Sequence, residues 1–158
     1  MDVKIVSKAG FALIGKMGQG KATEGPQWIL PLWKEANENF HEIKPLAELD
    51  PDGNIAGIWG AMSDIEEKFE KWGEQGKYLA GCEVKDTAEA PAGWTKWVIP
   101  AYTYAVISCK QESYQEAFTY MMDKYLPGNK YQVVGAVHEF YPQDGTDRIE
   151  LYFPVRRD

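Results

Sequence analysis

Two short stretches constrain this chain more than any other feature in it. "FALIG" at 11–15 and "YAVIS" at 104–108 agree in type at every position, reading aromatic, Ala, aliphatic, Ile, small. Each is followed by residues with helical spacing: Ile29, Leu32, Trp33, Ala36 and Phe40 after the first, Tyr114, Ala117, Phe118, Met121 and Tyr125 after the second. Both sets fall at offsets 0, 3, 4, 7 and 11, so a single apolar stripe runs down each predicted helix. Two strand-like runs then follow in each half, "IAGIWGAM" and "KYLAGCEV" in the first, "YQVVGAVHEFY" and "RIELYFPV" in the second. The repeated order is strand, helix, strand, strand, and an internal repeat of this kind dictates a duplicated architecture.

The connections differ between the halves. The second uses the turn-forming "PQDGTD", whereas the first inserts "SDIEEKFEKWG". That insert reads as a short helix, with Ser63 and Glu66 as a capping box, Ile65, Phe69 and Trp72 along one side, and Gly73 as its stop. A second capping box, Ser113 with Glu116, opens the helix of the second half, which ends at "LPG". The Ala-, Pro- and Gly-rich stretch 85–94 reads as the linker, dividing one domain into half-repeats of about 1–90 and 91–158. "GKMGQGK" at 15–21 lacks the spacing of a phosphate-binding loop and reads as a flexible one.

Composition narrows the function. With 17 Lys and Arg against 24 Asp and Glu, a net charge of −7 spread along the chain disfavours a phosphate-tracking nucleic-acid footprint. Cys82 and Cys109 sit in apolar strand-like runs without redox or metal spacing, so free, buried thiols and no metal are expected. The N-terminus alternates, and no apolar run approaches the roughly 18 residues of a membrane span, which points to a soluble, cytoplasmic protein. Six Trp, nine Tyr and six Phe exceed what one small core needs, so some of these rings should line a pocket. No cofactor-binding motif stands out.

One helix per half covers only one face of each half-sheet, and two halves side by side leave a groove at their junction. If "RIELYFPV" alternates, Ile149, Leu151 and Phe153 pack under a helix, while Glu150 and Tyr152 share the other face and line the groove. Trp59, between the small Gly57 and Ala61 on its strand face, is a candidate pocket wall or a core ring. Trp97 and Tyr104, from what read as adjoining strands around "IPAYTY", have the same two readings, and Trp94 in the linker is a candidate lid. His138 and Glu139 form the other acid-base pair in a strand; being adjacent, they point to opposite faces, and only one can join Glu150. Glu83 reads as an outward charge.

"WVIPAYTYAVISCK", the helix after "QESY", "HEFYP" and the terminal "ELYFPV" together resemble the GyrI-like family of effector-binding domains found in AraC-type and MerR-type regulators, and "GIWGAMSD" with "YLAGCEV" fits its first half. The resemblance spans essentially the whole chain, with no room for a helix-turn-helix reader. It implies an α+β fold of duplicated βαββ (SHS2-like) modules, an antiparallel sheet with helices on one face and a ligand cleft between the halves. It also implies that Glu150, four residues before Pro154, is the acid on the pocket floor of members that bind aromatic cations, with Glu139 favoured over His138 beside it. A carboxylate among rings suits planar or cationic lipophilic compounds, since the rings supply cation-π attraction and the acid the counter-charge. The expected function is therefore sensing or sequestration of drug-like molecules. Some standalone members with this tryptophan-rich style resemble cyclopropanoid hydrolases, in which Glu150 would act as acid-base on water. A third reading, a gyrase-type protein partner for the acidic surface, rests on charge alone.

Overall fold

The computed structural model describes residues 2–158. Eight strands, β1 (Val3–Lys8), β2 (Phe11–Lys21), β3 (Ile58–Ser63), β4 (Gln75–Val84), β5 (Thr95–Ile99), β6 (Tyr102–Lys110), β7 (His138–Tyr141) and β8 (Arg148–Arg157), form one antiparallel sheet. Their order is β1-β6-β8-β7-β3-β4-β2-β5. Reading inward from either edge gives the same sequence of parts, so a pseudo-two-fold axis passes between β7 and β3. Helix α1 (Gly25–Asn39) follows β2 and helix α2 (Tyr114–Tyr120) follows β6, as the repeat requires. The edge strands change sides: β1 precedes β2 but pairs with β6, and β5 precedes β6 but pairs with β2. Each half thus carries an edge strand taken from the chain segment of the other.

The helix face of the sheet is apolar because the two stripes cover it. Ala36 of α1 packs on Tyr78 and Ala80, and Ala117 and Met121 pack on Ile107, Leu151 and Phe153. The opposite face is concave and fills itself with rings, Phe11, Trp59 and Trp97 with Leu13 and Leu79 in one cluster, Tyr102 and Tyr104 in another. Cys82 is buried, whereas Cys109, expected to be buried as well, is only half-buried; the two lie in different halves and are unpaired. Burial pushes the Cys82 thiol up to about 12, which leaves it protonated and inert.

Five local expectations are corrected. Residues 15–21 are no loop: Gly15 to Lys21 pair with β4 along its length. The glycines serve packing, since a Cβ at Gly18 would meet the Leu32 side chain at 2.6 Å and one at Gly20 would collide with the Trp28 indole. Residues 64–74 form no helix, because Asp64 and Ser63 divert the amides a helix would use. Asp64 Oδ1 accepts from the N–H groups of Lys68 and Glu70, Oδ2 from Glu66, and Ser63 Oγ from Phe69. Glu67 and Phe69 adopt φ of 57° and 59° there, and Phe69 seats edge-on against Trp97. The second predicted cap is also absent, a 3₁₀ turn at 111–113 leading into α2 while Ser113 makes no side-chain cap. Only "HEFY" of the third run is a strand; before it, Val134 N–H donates to the Pro154 carbonyl and Ala136 N–H to that of Phe69. Lastly, Trp97 and Tyr104 do not adjoin, lying on β5 and β6 in opposite halves of the sheet.

Candidate functional site

Register decides which face each candidate occupies. Glu139 stands opposite Gly60 on β3 and Leu151 on β8, so it shares the helix face with Leu151. Phe140 stands opposite Glu150 and His138 opposite Tyr152, which places those four on the concave face. Glu139 and Glu150 therefore belong to opposite sides of one sheet, which corrects the expectation that Glu139 joins Glu150: of the adjacent pair, His138 shares the face of Glu150.

Glu139 lies where the two halves meet and is 7 % exposed. Its Oε1 accepts from Tyr78 Oη at 2.5 Å and from Tyr141 Oη at 3.2 Å, and its Oε2 accepts from Tyr114 Oη at 2.6 Å. Trp33 Nε1 donates in turn to Tyr78 Oη at 2.9 Å. The elements supply these groups in a definite way: Tyr78 from β4, Tyr141 two residues along β7 from Glu139, Trp33 from α1 and Tyr114 from the first turn of α2. Gly60 makes the network possible, because a Cβ there would collide with Tyr78 Oη and sit 2.6 Å from Glu139 Oε1. Burial pushes the Glu139 carboxyl above its ordinary value, while the three tyrosine donors pull it down. Tyr78, Tyr114 and Tyr141 are all raised, by burial first and then by the Glu139 charge, so they remain protonated donors.

Above this network α1 and α2 part to leave a cleft of about 680 Å³. Its walls are mainly rings and alkyl groups, among them Ile29, Trp33, Trp72, Phe118 and Met62, with Glu139 as its one carboxylate. An apolar recess of about 230 Å³ opens from it past Trp72 and Phe118 towards Val133 and Val137. At the other end the edge-on pair Trp33 and Tyr141, with centroids 5.2 Å apart, separates it from a polar groove of about 640 Å³ bearing Asn37, Gln111 and Gln143. The arrangement offers one buried carboxyl, held by three tyrosine hydroxyls, at the base of an aromatic chamber.

Of the residues proposed from the sequence as site residues, Glu139 alone lines this cleft. Glu150, with 14 % of its side chain exposed, lies on the concave face, 3.7 Å from the Arg148 guanidinium, and accepts from Tyr152 Oη at 3.4 Å. Tyr152, two residues along β8, packs edge-on to Trp59 at 4.9 Å and to Tyr104 at 5.3 Å, so these candidates form one ring cluster. Trp97 is buried on the same face, and His138 is buried with Nδ1 accepting from Met62 N–H at 3.2 Å. Trp94 is not poised over the cleft: it packs on Phe40, donates to Glu42 Oε1 at 2.9 Å and carries the Lys16 ammonium 4.1 Å over its ring. The larger open space thus lies between the helices, while the helix-free face, where alternation put the groove, holds a smaller cavity of about 230 Å³ beside Trp59 and Tyr152. Sequence reasoning passed over Tyr78, Tyr114, Tyr141, Trp33 and Gly60. Tyr141 carried a usable signal, its two-residue spacing from Glu139; Trp33 and Tyr114 were absorbed into the helical stripes as core.

The family model for integron-associated effector binding proteins (Cass2) matches residues 4–155. The transcriptional regulator BrlR of Pseudomonas aeruginosa is 26% identical over 167 aligned residues, covering 98% of this chain and 56% of BrlR. The chain therefore spans about half the length of that curated relative. The structure of SAV2435 bound to tetraphenylphosphonium superposes with a TM-score of 0.74 at 15% identity, covering 99% of this chain and 94% of that one. An integron cassette protein from the mobile metagenome of Vibrio cholerae gives 0.61 at 15% identity, over 98% of this chain and 95% of that one. The C-terminal domain of EcmrR gives 0.64 at 18% identity, over 99% and 98%. At these identities the structural likenesses speak to the fold.

Proposed function

This chain belongs to the family of integron-associated effector binding proteins, and on that premise we propose that its effector is a lipophilic cation held in the cleft between α1 and α2, with Glu139 as counter-charge. The observation that carries this reading is the buried Glu139 carboxylate at the base of a ring-lined chamber. An aromatic wall removes the ligand from water and attracts its positive charge, and the acid offsets the remaining desolvation penalty. SAV2435, which shares the fold, has been captured with tetraphenylphosphonium, a cation of this chemistry.

Binding is favoured here over water activation. Both oxygens of Glu139 already accept tyrosine hydroxyls, so the carboxylate is tied up as an acceptor instead of being directed at a water. The same donors leave the negative charge in place for a cation that brings no N–H of its own, since attraction at ring distance needs charge and not a hydrogen bond.

Titrating tetraphenylphosphonium by calorimetry tests the reading. Glu139→Gln removes the charge and should weaken binding by about 2 kcal/mol, roughly thirtyfold in Kd. Glu150→Gln should leave Kd unchanged. An unaltered Kd in Glu139→Gln, or a loss confined to Glu150→Gln, would move the ligand out of this cleft.

A further inference from the structure

The concave face carries a cavity of its own, and donors buried in that face lack acceptors. Among the described residues, Trp59 Nε1, Trp97 Nε1 and Tyr104 Oη are buried without a hydrogen-bond partner. A buried donor with no acceptor in the protein is unusual, and each such group calls for an explanation. Trp59 is the one beside an opening. With Gly57, Phe140 and Tyr152 it lines a cavity of about 230 Å³. Gly57 forms a notch in that wall: a Cβ there would lie 3.2 Å from Trp59 Nε1, 3.5 Å from the Phe140 ring and 3.6 Å from the Glu83 side chain. The indole Nε1, itself closed off from solvent, thus borders the space that the missing side chain leaves.

Charges of both signs ring the same cavity. Lys8 and Glu83 line it with Nζ and Oε1 3.5 Å apart, a loose contact for an ion pair. The Lys8 ammonium also lies 4.3 Å over the Phe11 ring, and Glu48 stands exposed at the rim. An indole N–H and an ammonium together ask for a carboxylate, the two glutamates ask for an ammonium, and the rings of Phe140 and Tyr152 ask for an apolar group. We propose that this cavity is a second binding site, for a small zwitterion of the α-amino-acid class with an apolar side chain. Its carboxylate accepts from Trp59 Nε1–H and Lys8 Nζ, its ammonium lies between Glu48 and Glu83, and its side chain rests on Phe140 and Tyr152. The volume equals that of about seven or eight water molecules, which suits a single amino acid and excludes a tetraphenyl cation. The site lies across the sheet from Glu139 and stands or falls independently of the cleft.

The indole N–H signals of the nitrogen-15-labelled chain provide the test, with the Trp59 signal assigned by its loss in Trp59→Phe. L-leucine is the probe, compared with N-acetyl-L-leucine, which lacks the ammonium, and L-leucinamide, which lacks the carboxylate. L-leucine should shift the Trp59 signal and saturate below about 10 mM, and each one-charge analogue should bind at least about tenfold more weakly. Gly57→Ala, which fills the notch, should abolish the shift; Lys8→Met, at a partly exposed position, should weaken it if the glycine variant folds poorly. A Trp59 signal that stays still through about 10 mM L-leucine overturns the proposal. So does a shift that both analogues reproduce at equal strength, because charge pairing would then play no part.

Discussion

His138 and Glu139 are consecutive, occupy opposite faces of β7, and are both withdrawn from water, yet their titrations act on stability in opposite senses. Burial lowers His138 from 6.5 to about 4. Between those values the unfolded chain binds a proton that the folded protein does not, so stability is fully present above pH 6.5 and is lost as pH falls towards 4. The loss amounts to about 3 kcal/mol. Glu139 is raised by burial and takes up its proton in the fold before the unfolded chain does, which favours the fold as pH falls. Comparing the protein with His138→Asn, which keeps an acceptor for Met62 N–H and does not titrate, isolates the first effect. Urea unfolding at pH 7 and pH 5 should show a clear acid loss in the parent that the variant lacks; equal losses would mean that His138 is not kept neutral by burial.

Two strands approach closely where glycines face one another. Gly15 on β2 pairs with Gly81 on β4, in the same row as Trp59 and Phe140. A Cβ at Gly15 would run into the backbone of Ala80 and lie 2.6 Å from Gly81 Cα, so nothing flexible can give way. Glycine inside a strand marks such a close approach. Gly20, in the same strand, meets instead the five-membered ring of the half-buried Trp28 indole, a side chain that yields more readily than backbone. Gly15→Ala should therefore destabilise the protein by about 3 kcal/mol or prevent folding, while Gly20→Ala stays within about 1 kcal/mol. Chemical denaturation of the two variants decides this, and equal effects would show that the Gly15–Gly81 approach is no tighter a constraint than the contact at Gly20. The insert after β3 makes a related point about elements. "SDIEEKFEKWG" has helical periodicity, but Ser63 and Asp64 together accept four of its amides, and side-chain acceptors overrode the pattern.

At the scale of the whole molecule, the duplication was legible because each half repeats a local order that strands and stripes announce. The exchange of β1 and β5 between halves was not, since pairing of Val3 with Ile107 or of Phe11 with Ile99 is non-local and leaves no mark on periodicity. The site was legible in part for the same reason. Alternation placed Glu150 with Tyr152 and set Glu139 apart from His138, all of which the register reproduces. It could not say which face stays open, because that depends on the sheet curling over its own rings while α1 and α2 stand apart above Glu139. The central claim is that the effector occupies the space between the helices. A crystal structure of the tetraphenylphosphonium complex tests it most directly. The account predicts the phosphorus centre above Glu139, among Trp33, Tyr114 and Phe118, with the concave-face rings unmoved; a ligand lodged beside Glu150 and Trp59, with the helix cleft empty, would contradict it.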